Sequence, residues 1–203
     1  MWSINVFMNK LMKAYEEKFE VSFRDHLNLT EDRSVLSHFV ELCCTTSIWT
    51  VDLAYLLQKF AVRFTYCTVT LGANPDFCVE TFYKDQLPND LVRVNMLFRE
   101  AREAGIDIEC RSLSATEISG LILSGKYVAI ALVDQFKLSN SGLEDVCVSD
   151  FYGGNPGYTG HYVVICGYDA VTNEFEIRDP ASSETREGLF MVFGASPQIF
   201  WYR

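Results

Sequence analysis

The stretch His161-Tyr162-Val163-Val164-Ile165-Cys166-Gly167-Tyr168 predicts a largely buried β-strand that begins on a histidine. A second extended run follows it and ends at Asp179-Pro180, and the intervening Asp169-Ala170-Val171-Thr172-Asn173 carries turn formers at both ends. If the two strands pair, His161 and Asp179 meet. A carboxylate bonded to one ring nitrogen fixes the tautomer of the imidazole and leaves the other nitrogen free to accept a proton. The sequence therefore predicts a general base and the acid that orients it.

A histidine at the start of a strand is more often a hydrogen-bonded structural residue than a catalytic one, so a structural role for His161 stays open. The glycine-dense segment Gly153-Gly154-Asn155-Pro156-Gly157-Tyr158-Thr159-Gly160, which runs directly into His161, favours a functional role. Such a loop allows close approach of a ligand to the backbone, and functional side chains concentrate where loops meet rigid strands.

The composition is that of one globular domain spanning 1–203. The chain has 203 residues, of which 49% are hydrophobic and 22% charged, and its formal net charge is −10. This length can bury a substantial core. A nucleic-acid partner is not expected, because phosphate binding needs a clustered basic face and none is visible in the sequence.

The seven cysteines form no CxxC pair, which predicts reduced, mostly buried thiols in a cytosolic or nuclear compartment and no zinc or other metal site. Of the two compartments, the cytoplasm is the expected location. Residues 1–20 are expected to form an N-terminal amphipathic helix, because Phe7, Leu11, Tyr15 and Phe19 recur every four residues. Two early lysines interrupt the apolar run, so neither a secretory signal nor a membrane span is predicted.

Helices are expected in the first half of the chain and strands in the second, which predicts an α+β fold. Helices are predicted over 31–43, from a Thr50 cap to Phe60, over 88–104, and from the capping box Ser114-Ala115-Thr116-Glu117 to about Gly125. Strands are predicted over 63–71, 106–110 and 127–133, and two more strands, the pair around His161 and Asp179, finish the sheet. Asp90, Arg93 and Arg99 are expected on a solvated face of their helix.

The segment Gly120-Leu121-Ile122-Leu123-Ser124-Gly125-Lys126-Tyr127 matches G-x-x-x-x-G-K but is not expected to bind phosphate. Tyr127 stands where magnesium coordination needs Ser or Thr. The segment is also predicted to close a helix and enter a strand, whereas a phosphate loop leaves a strand and opens a helix.

Three stretches resemble the plant guanylyl cyclase family: Ser47-Ile48-Trp49-Thr50-Val51-Asp52-Leu53-Ala54-Tyr55-Leu56-Leu57, Gln86-Leu87-Pro88-Asn89-Asp90-Leu91-Val92-Arg93-Val94 and Tyr158-Thr159-Gly160-His161-Tyr162-Val163-Val164-Ile165-Cys166-Gly167-Tyr168-Asp169. The resemblance implies a soluble protein that converts GTP to cyclic GMP with Mg or Mn. Members of that family are similar to papain-like cysteine peptidases of the bacteriocin-processing type. That similarity implies a papain-like fold, with His161 and Asp179 at the positions of the peptidase base and its orienting acid.

Two departures from the family pattern bear on activity. The Trp-Asp-Cys-Gly-Leu-Ala-Cys block that carries the peptidase-type nucleophile is absent, and no cysteine lies between Phe19 and Leu42. The segment 188–203 also diverges from the family, and both breaks resemble alternative splicing or a gene-model error. Cys43 and Cys44 are poor substitutes, because a helix C-terminus disfavours a thiolate.

We therefore expect a papain-like fold that lacks the nucleophile helix, leaving an apolar groove beside His161. The expected function is a weakly active or inactive guanylyl cyclase, with GTP as a ligand and its binding residues unassigned. The alternative is a non-catalytic isoform that binds a protein partner or self-associates. Thiol-hydrolase activity is not expected, because the covalent route needs the missing cysteine.

Overall fold

In the computed structural model, the described residues are 48–59, 61–73, 87–134, 160–179, 186–189 and 198–202, with the backbone alone described at 87–89, 186–189 and 198–202. The predicted helices over 1–20 and 31–43, the loop 153–159 and the thiols Cys43, Cys44, Cys78 and Cys147 lie outside these ranges. The described part contains three helices: α1 (Thr50–Lys59), α2 (Leu87–Glu100) and α3 (Ala115–Leu123).

Helix α1 begins at its expected cap residue, which is one residue earlier than predicted. Thr50 is the first helical residue, and the carbonyl of Trp49 accepts hydrogen bonds from the backbone of Asp52 and Leu53. The Asp52 carboxylate in turn accepts from the Trp49 backbone N–H at 2.8 Å. The expectation that Thr50 caps the helix is therefore wrong, and its hydroxyl instead accepts a hydrogen bond from Tyr66 at 2.8 Å.

The capping box at the start of α3 is confirmed. The backbone N–H of Glu117 donates to the Ser114 hydroxyl at 3.2 Å, and the Glu117 carboxylate accepts from the Ser114 backbone at 2.9 Å. The helix ends at Leu123, and Gly125 follows with φ +71°, a left-handed conformation that disfavours side chains. Since strand β3 starts at Val128, the G-x-x-x-x-G-K segment does close a helix and enter a strand.

Seven strands form one sheet in the described part of the chain: β1 (Phe64–Thr68), β2 (Ile108–Cys110), β3 (Val128–Asp134), β4 (Gly160–Asp169), β5 (Glu174–Arg178), β6 (Arg186–Leu189) and β7 (Gln198–Tyr202). Their spatial order is β2-β1-β7-β3-β4-β5-β6. Strands β1 and β2 are parallel, and every other neighbouring pair is antiparallel. The mixed helix and strand content confirms the α+β class.

The expectation that β4 and β5 finish the sheet is wrong. Strand β6 extends the sheet beyond β5, and β7 lies between β1 and β3, where it pairs with both. Four of the five residues of β7 pair with β1 and all five pair with β3, with Ile199 paired to both Cys67 and Ala131. The segment that diverges from the family pattern therefore supplies a strand in the middle of the sheet.

Side chains on the two faces of the sheet pack into separate cores. Helices α1 and α2 cover one face, with Tyr66, Ile130 and Val164 of the sheet buried beneath them. Helix α3 packs on the other face over β3 and β4, against Ala129, Val163 and Ile177 among others. Because side chains alternate along a strand, neighbouring residues of β4 belong to different cores.

Candidate functional site

The predicted contact between His161 and Asp179 is present. The Nε2 atom of His161 lies 2.7 Å from Oδ1 of Asp179, and His161 is the second residue of β4 while Asp179 directly follows β5. The β4–β5 register aligns Val164 with Arg178, so the two residues are diagonal neighbours on one face of the sheet, the face that α3 covers. The antiparallel pairing of two strands thus brings the imidazole and the carboxylate together.

The turn that joins β4 to β5 forms as the sequence predicts. Oδ1 of Asp169 accepts a hydrogen bond from the backbone of Val171 at 2.7 Å, and Asn173 adopts φ +65°. Asparagine tolerates this left-handed conformation better than most residues. The register that starts at this turn shifts by one residue at an irregularity between Ile165 and Gly167, and beyond it Val164 aligns with Arg178. Because side chains alternate along a strand, a further shift of one residue would move Asp179 to the other face.

Both members of the pair are buried: His161 is 8% exposed and Asp179 6%. The imidazole itself is therefore not open to solvent, and the apolar groove expected beside it stays a prediction. Burial strengthens a hydrogen bond between these groups because little water competes for it. With Nε2 directed at the carboxylate, Nδ1 is the ring nitrogen that would accept a proton from a substrate group.

None of the thiols in the described part of the chain is placed to act with this base. Cys166 lies on β4 but packs against the core on the opposite face from His161, and Cys67 is buried. Burial, followed by the charge of Glu176, raises the pKa of Cys166 to about 11, which makes its thiolate rare at neutral pH. Cys110 is exposed and lies at the far edge of the sheet on β2.

A second polar cluster, which we call the clamp, joins the start of α1 to the first turns of α2. It consists of Trp49, Asp52, Asp90 and Arg93. The Arg93 guanidinium bonds both oxygens of Asp52 and reaches Oδ1 of Asp90 at 3.1 Å. The Trp49 indole N–H donates to the other oxygen of Asp90 at 3.0 Å.

The clamp corrects the expectation that Asp90 and Arg93 lie on a solvated helix face. Asp90 is only 5% exposed, and Arg93 is half-buried, whereas Arg99 is exposed as expected. Burial alone would lower the pKa of Arg93, but hydrogen bonds and charge from Asp52, and then from Asp90, raise it above its ordinary value. The i,i+3 spacing of Asp90 and Arg93 was visible in the sequence, but the distant contributions of Trp49 and Asp52 were not.

The clamp does not fit a divalent metal as it stands. Asp52 and Asp90 are the carboxylates that the clamp brings together, and every one of their oxygens already accepts a hydrogen bond from Arg93 or Trp49. A metal would have to displace the guanidinium. Within the described ranges, no group of three or more His, Cys, Asp or Glu side chains is placed to hold a metal ion.

None of the helices that the structure describes is long and apolar enough to cross a membrane.

Comparisons with known proteins agree with the sequence resemblance. A family model described as guanylylate cyclase matches residues 26–192. Guanylyl cyclase 1 of Arabidopsis thaliana is 66% identical over 154 residues, which make up 76% of this chain and 56% of the relative. This chain thus spans about half the length of that relative, and no solved structure matches it. By the extent of the family match and this level of identity, the chain belongs to the guanylyl cyclase family found in plants.

Proposed function

We propose that this chain is a guanylyl cyclase of low activity in which His161, oriented by Asp179, acts as the general base on GTP. The observation that carries the proposal is the 2.7 Å contact between the buried imidazole and carboxylate. The name of the Arabidopsis relative supports GTP cyclisation as the reaction. A general base positioned in this way typically contributes 10²–10⁴-fold to a rate.

In the proposed reaction, Nδ1 of His161 removes the proton from the ribose 3′-hydroxyl of GTP. The 3′-oxygen then forms a bond to the α-phosphorus, and the bond from the α-phosphorus to the bridging oxygen breaks, so pyrophosphate leaves. Asp179 holds the ring in the tautomer that presents Nδ1 and stabilises the imidazolium formed. A Mg²⁺ or Mn²⁺ ion bound with GTP would supply charge neutralisation on the triphosphate.

Low activity follows from two features of the described residues. The His161–Asp179 pair is buried, so a nucleotide must displace neighbouring groups to reach Nδ1. The clamp combines two carboxylates with one guanidinium, which makes it a poor partner for a triphosphate. Neither feature supplies the preorganised cationic groups on which phosphoryl transfer relies.

The second candidate function is a non-catalytic binding isoform of a papain-like thiol-hydrolase fold. Two observations favour it. The base and the acid are in contact, as in the papain-like peptidases that the sequence resembles, and none of the thiols in the described part of the chain could act with them. In this proposal the fold lacks the helix that carries the nucleophile, and the protein works in the cytoplasm by capturing a protein partner or a second copy of itself. The net charge of −10 opposes nucleic acid as the partner.

Incubation of the purified chain with GTP and either Mg²⁺ or Mn²⁺, followed by mass spectrometry of cyclic GMP, tests the first candidate. We expect slow formation that falls about 10²-fold or more in His161→Ala and strongly in Asp179→Asn. Asp107→Asn makes the same chemical change as Asp179→Asn at an exposed residue beside β2, at the far edge of the sheet, and serves as the matched control, with activity like that of the original chain.

The outcomes separate the two candidates. Cyclic GMP formation that is equal in the original chain and in His161→Ala would show that the pair is not the base. No cyclic GMP at any concentration of the original chain would overturn the cyclase proposal and favour the binding isoform. Sedimentation velocity and GTP calorimetry on that inactive chain would then distinguish self-association from retained nucleotide binding.

A further inference from the structure

The positions of His161 and Asp179 depend on more than the pairing of their strands. The described pairs between β4 and β5 run from Val164 opposite Arg178 to Asp169 opposite Glu174. His161 therefore lies three residues before Val164, the first residue of β4 in these pairs. Asp179 likewise lies just beyond the end of β5. The β4–β5 pairs in the described part of the chain therefore stop short of both side chains, and other contacts at the start of β4 also bear on their separation.

Part of the support for the start of β4 comes from β3, which pairs Val133 with His161 and Asp134 with Gly160. The other part comes from the face of the sheet that α1 and α2 cover. Tyr162 follows His161 directly, so its side chain points to the opposite face, where it packs against the core under α1 and α2. Its hydroxyl donates to the carbonyl of Ile48 at 3.5 Å, a long hydrogen bond to a residue two positions before the start of α1.

The peptide that Tyr162 contacts is itself fixed by the clamp. Trp49, the residue after Ile48, donates its backbone N–H to Asp52 and its indole N–H to Asp90. Arg93 bonds both of those carboxylates and thereby ties the start of α1 to α2. A continuous set of contacts thus runs from α2 through the Ile48–Trp49 peptide to the residue next to His161.

We propose that Tyr162 is a positioning residue that, anchored by the clamp on the opposite face of the sheet, sets the placement of His161 against Asp179. Its catalytic consequence rests on the proposed function, because His161 matters for turnover only if it is the base. His161 pairs with Val133 of β3 but lies beyond the described β4–β5 pairs, so its ring can shift by a fraction of an ångström relative to Asp179 unless packing on the opposite face of the sheet holds its strand. Small displacements of reacting groups can cost on the order of 10²-fold in rate.

The test uses Tyr162→Phe, which removes the hydroxyl and keeps the packed ring. With ¹⁵N-labelled histidine, the ring nitrogens of His161, assigned by their loss in His161→Gln, report the tautomer and the N–H bonded to Asp179. We expect the downfield N–H resonance to move upfield or broaden in Tyr162→Phe, while the melting temperature changes by about 3 °C or less. Cyclic GMP turnover should fall about tenfold in kcat, with KM changed less than about twofold.

Trp49→Phe provides a second variant, since it keeps an aromatic ring and removes the indole N–H that reaches Asp90. It should move the same His161 resonances in the same direction. Tyr168→Phe is the matched control on the same strand. The Tyr168 hydroxyl bonds Asn173, and Tyr168 lies about 20 Å from Tyr162 along β4. Its His161 resonances should match those of the original chain.

The proposal is overturned if Tyr162→Phe leaves the His161 resonances unchanged, or if Tyr168→Phe shifts them as much. Failure of the proposed function gives a different result. If no cyclic GMP forms but the resonances of Tyr162→Phe and Trp49→Phe move as expected, positioning stands and the cyclase proposal falls.

Discussion

At the scale of single residues, Cys166 is the thiol nearest in sequence to the proposed base, and its environment predicts that it is inert. Because its pKa is raised to about 11 by burial, only about 0.1% of it is thiolate at pH 8. Iodoacetamide should therefore label Cys110, which is exposed, much faster than Cys166 in the folded protein. Peptide mass spectrometry over time measures both rates.

The pH dependence of this labelling has a definite sign. Labelling of Cys166 should accelerate as the pH rises toward 11, because the reactive thiolate becomes more abundant. Rapid labelling of Cys166 at pH 7 that is lost in His161→Ala would contradict the expectation and would make a thiol-dependent activity plausible after all.

The buried hydroxyl of Tyr66 offers a second prediction at this scale. It donates to Thr50 at 2.8 Å across the interface between β1 and α1, and burial raises the pKa of Tyr66 so that it remains a neutral donor. Tyr66→Phe should lower the free energy of unfolding by about 1 kcal/mol, the usual net contribution of one such hydrogen bond. Urea denaturation measures it. Tyr168→Phe, which alters an exposed hydroxyl, should change the free energy of unfolding by less than about 0.5 kcal/mol.

At the scale of secondary-structure elements, the clamp holds α1 and α2 together. Arg93→Met would leave two carboxylates, one of them buried, without their shared guanidinium. We expect the free energy of unfolding to fall by about 2–3 kcal/mol. This loss is small for a broken buried ion pair, because Arg93 is partly exposed. Arg99→Met, an exposed change on the same helix, should stay within about 0.5 kcal/mol.

A double variant separates charge from packing in the clamp. If uncompensated charge causes the loss, adding Asp52→Asn to Arg93→Met should recover part of the stability, because one of the two negative charges is removed. No recovery in the double variant would instead attribute the loss to the packing of the arginine side chain.

The capping box of α3 should contribute a pH-dependent part of the stability. The backbone N–H of Ser114, then its hydroxyl and Arg111, lower the pKa of Glu117 below its ordinary value. A carboxylate with a lowered pKa in the folded state stabilises the protein above its unfolded pKa, and that stabilisation disappears as the pH falls through the folded value. Urea denaturation measures the free energy of unfolding at pH 7 and near pH 3. The difference between these two values should be smaller in Glu117→Gln than in the original chain. Equal differences in the two proteins would show that the box does not contribute in this range.

At the scale of the whole molecule, the parts predictable from sequence are those that local chemistry determines. The His161–Asp179 contact follows from two strands and the short turn at Asp169–Asn173, and the α3 cap follows from four adjacent residues. The clamp could not be predicted in the same way, because Trp49 and Asp90 are distant in sequence and a helical pattern does not reveal which neighbouring element covers a polar face. The central place of β7 was equally hidden, since no local pattern specifies that the last strand inserts between β1 and β3.

That insertion leads to a prediction about the cooperativity of the fold. Strand β7 joins two parts of the sheet. Strands β2 and β1 lie on one side of it, and strands β3, β4, β5 and β6 lie on the other. Deleting 198–203 would remove both ladders and expose the backbone groups of β1 and β3 that pair with β7. Because an unpaired edge in the middle of a sheet is costly and prone to association, we expect the truncated chain to lose its single cooperative melting transition and to aggregate. Circular dichroism melting and light scattering measure the two effects, with deletion of Arg203 alone as the control. A truncated chain that melts cooperatively at the original temperature would show that β1 and β3 can pair without β7, and that the divergent segment is dispensable to the fold.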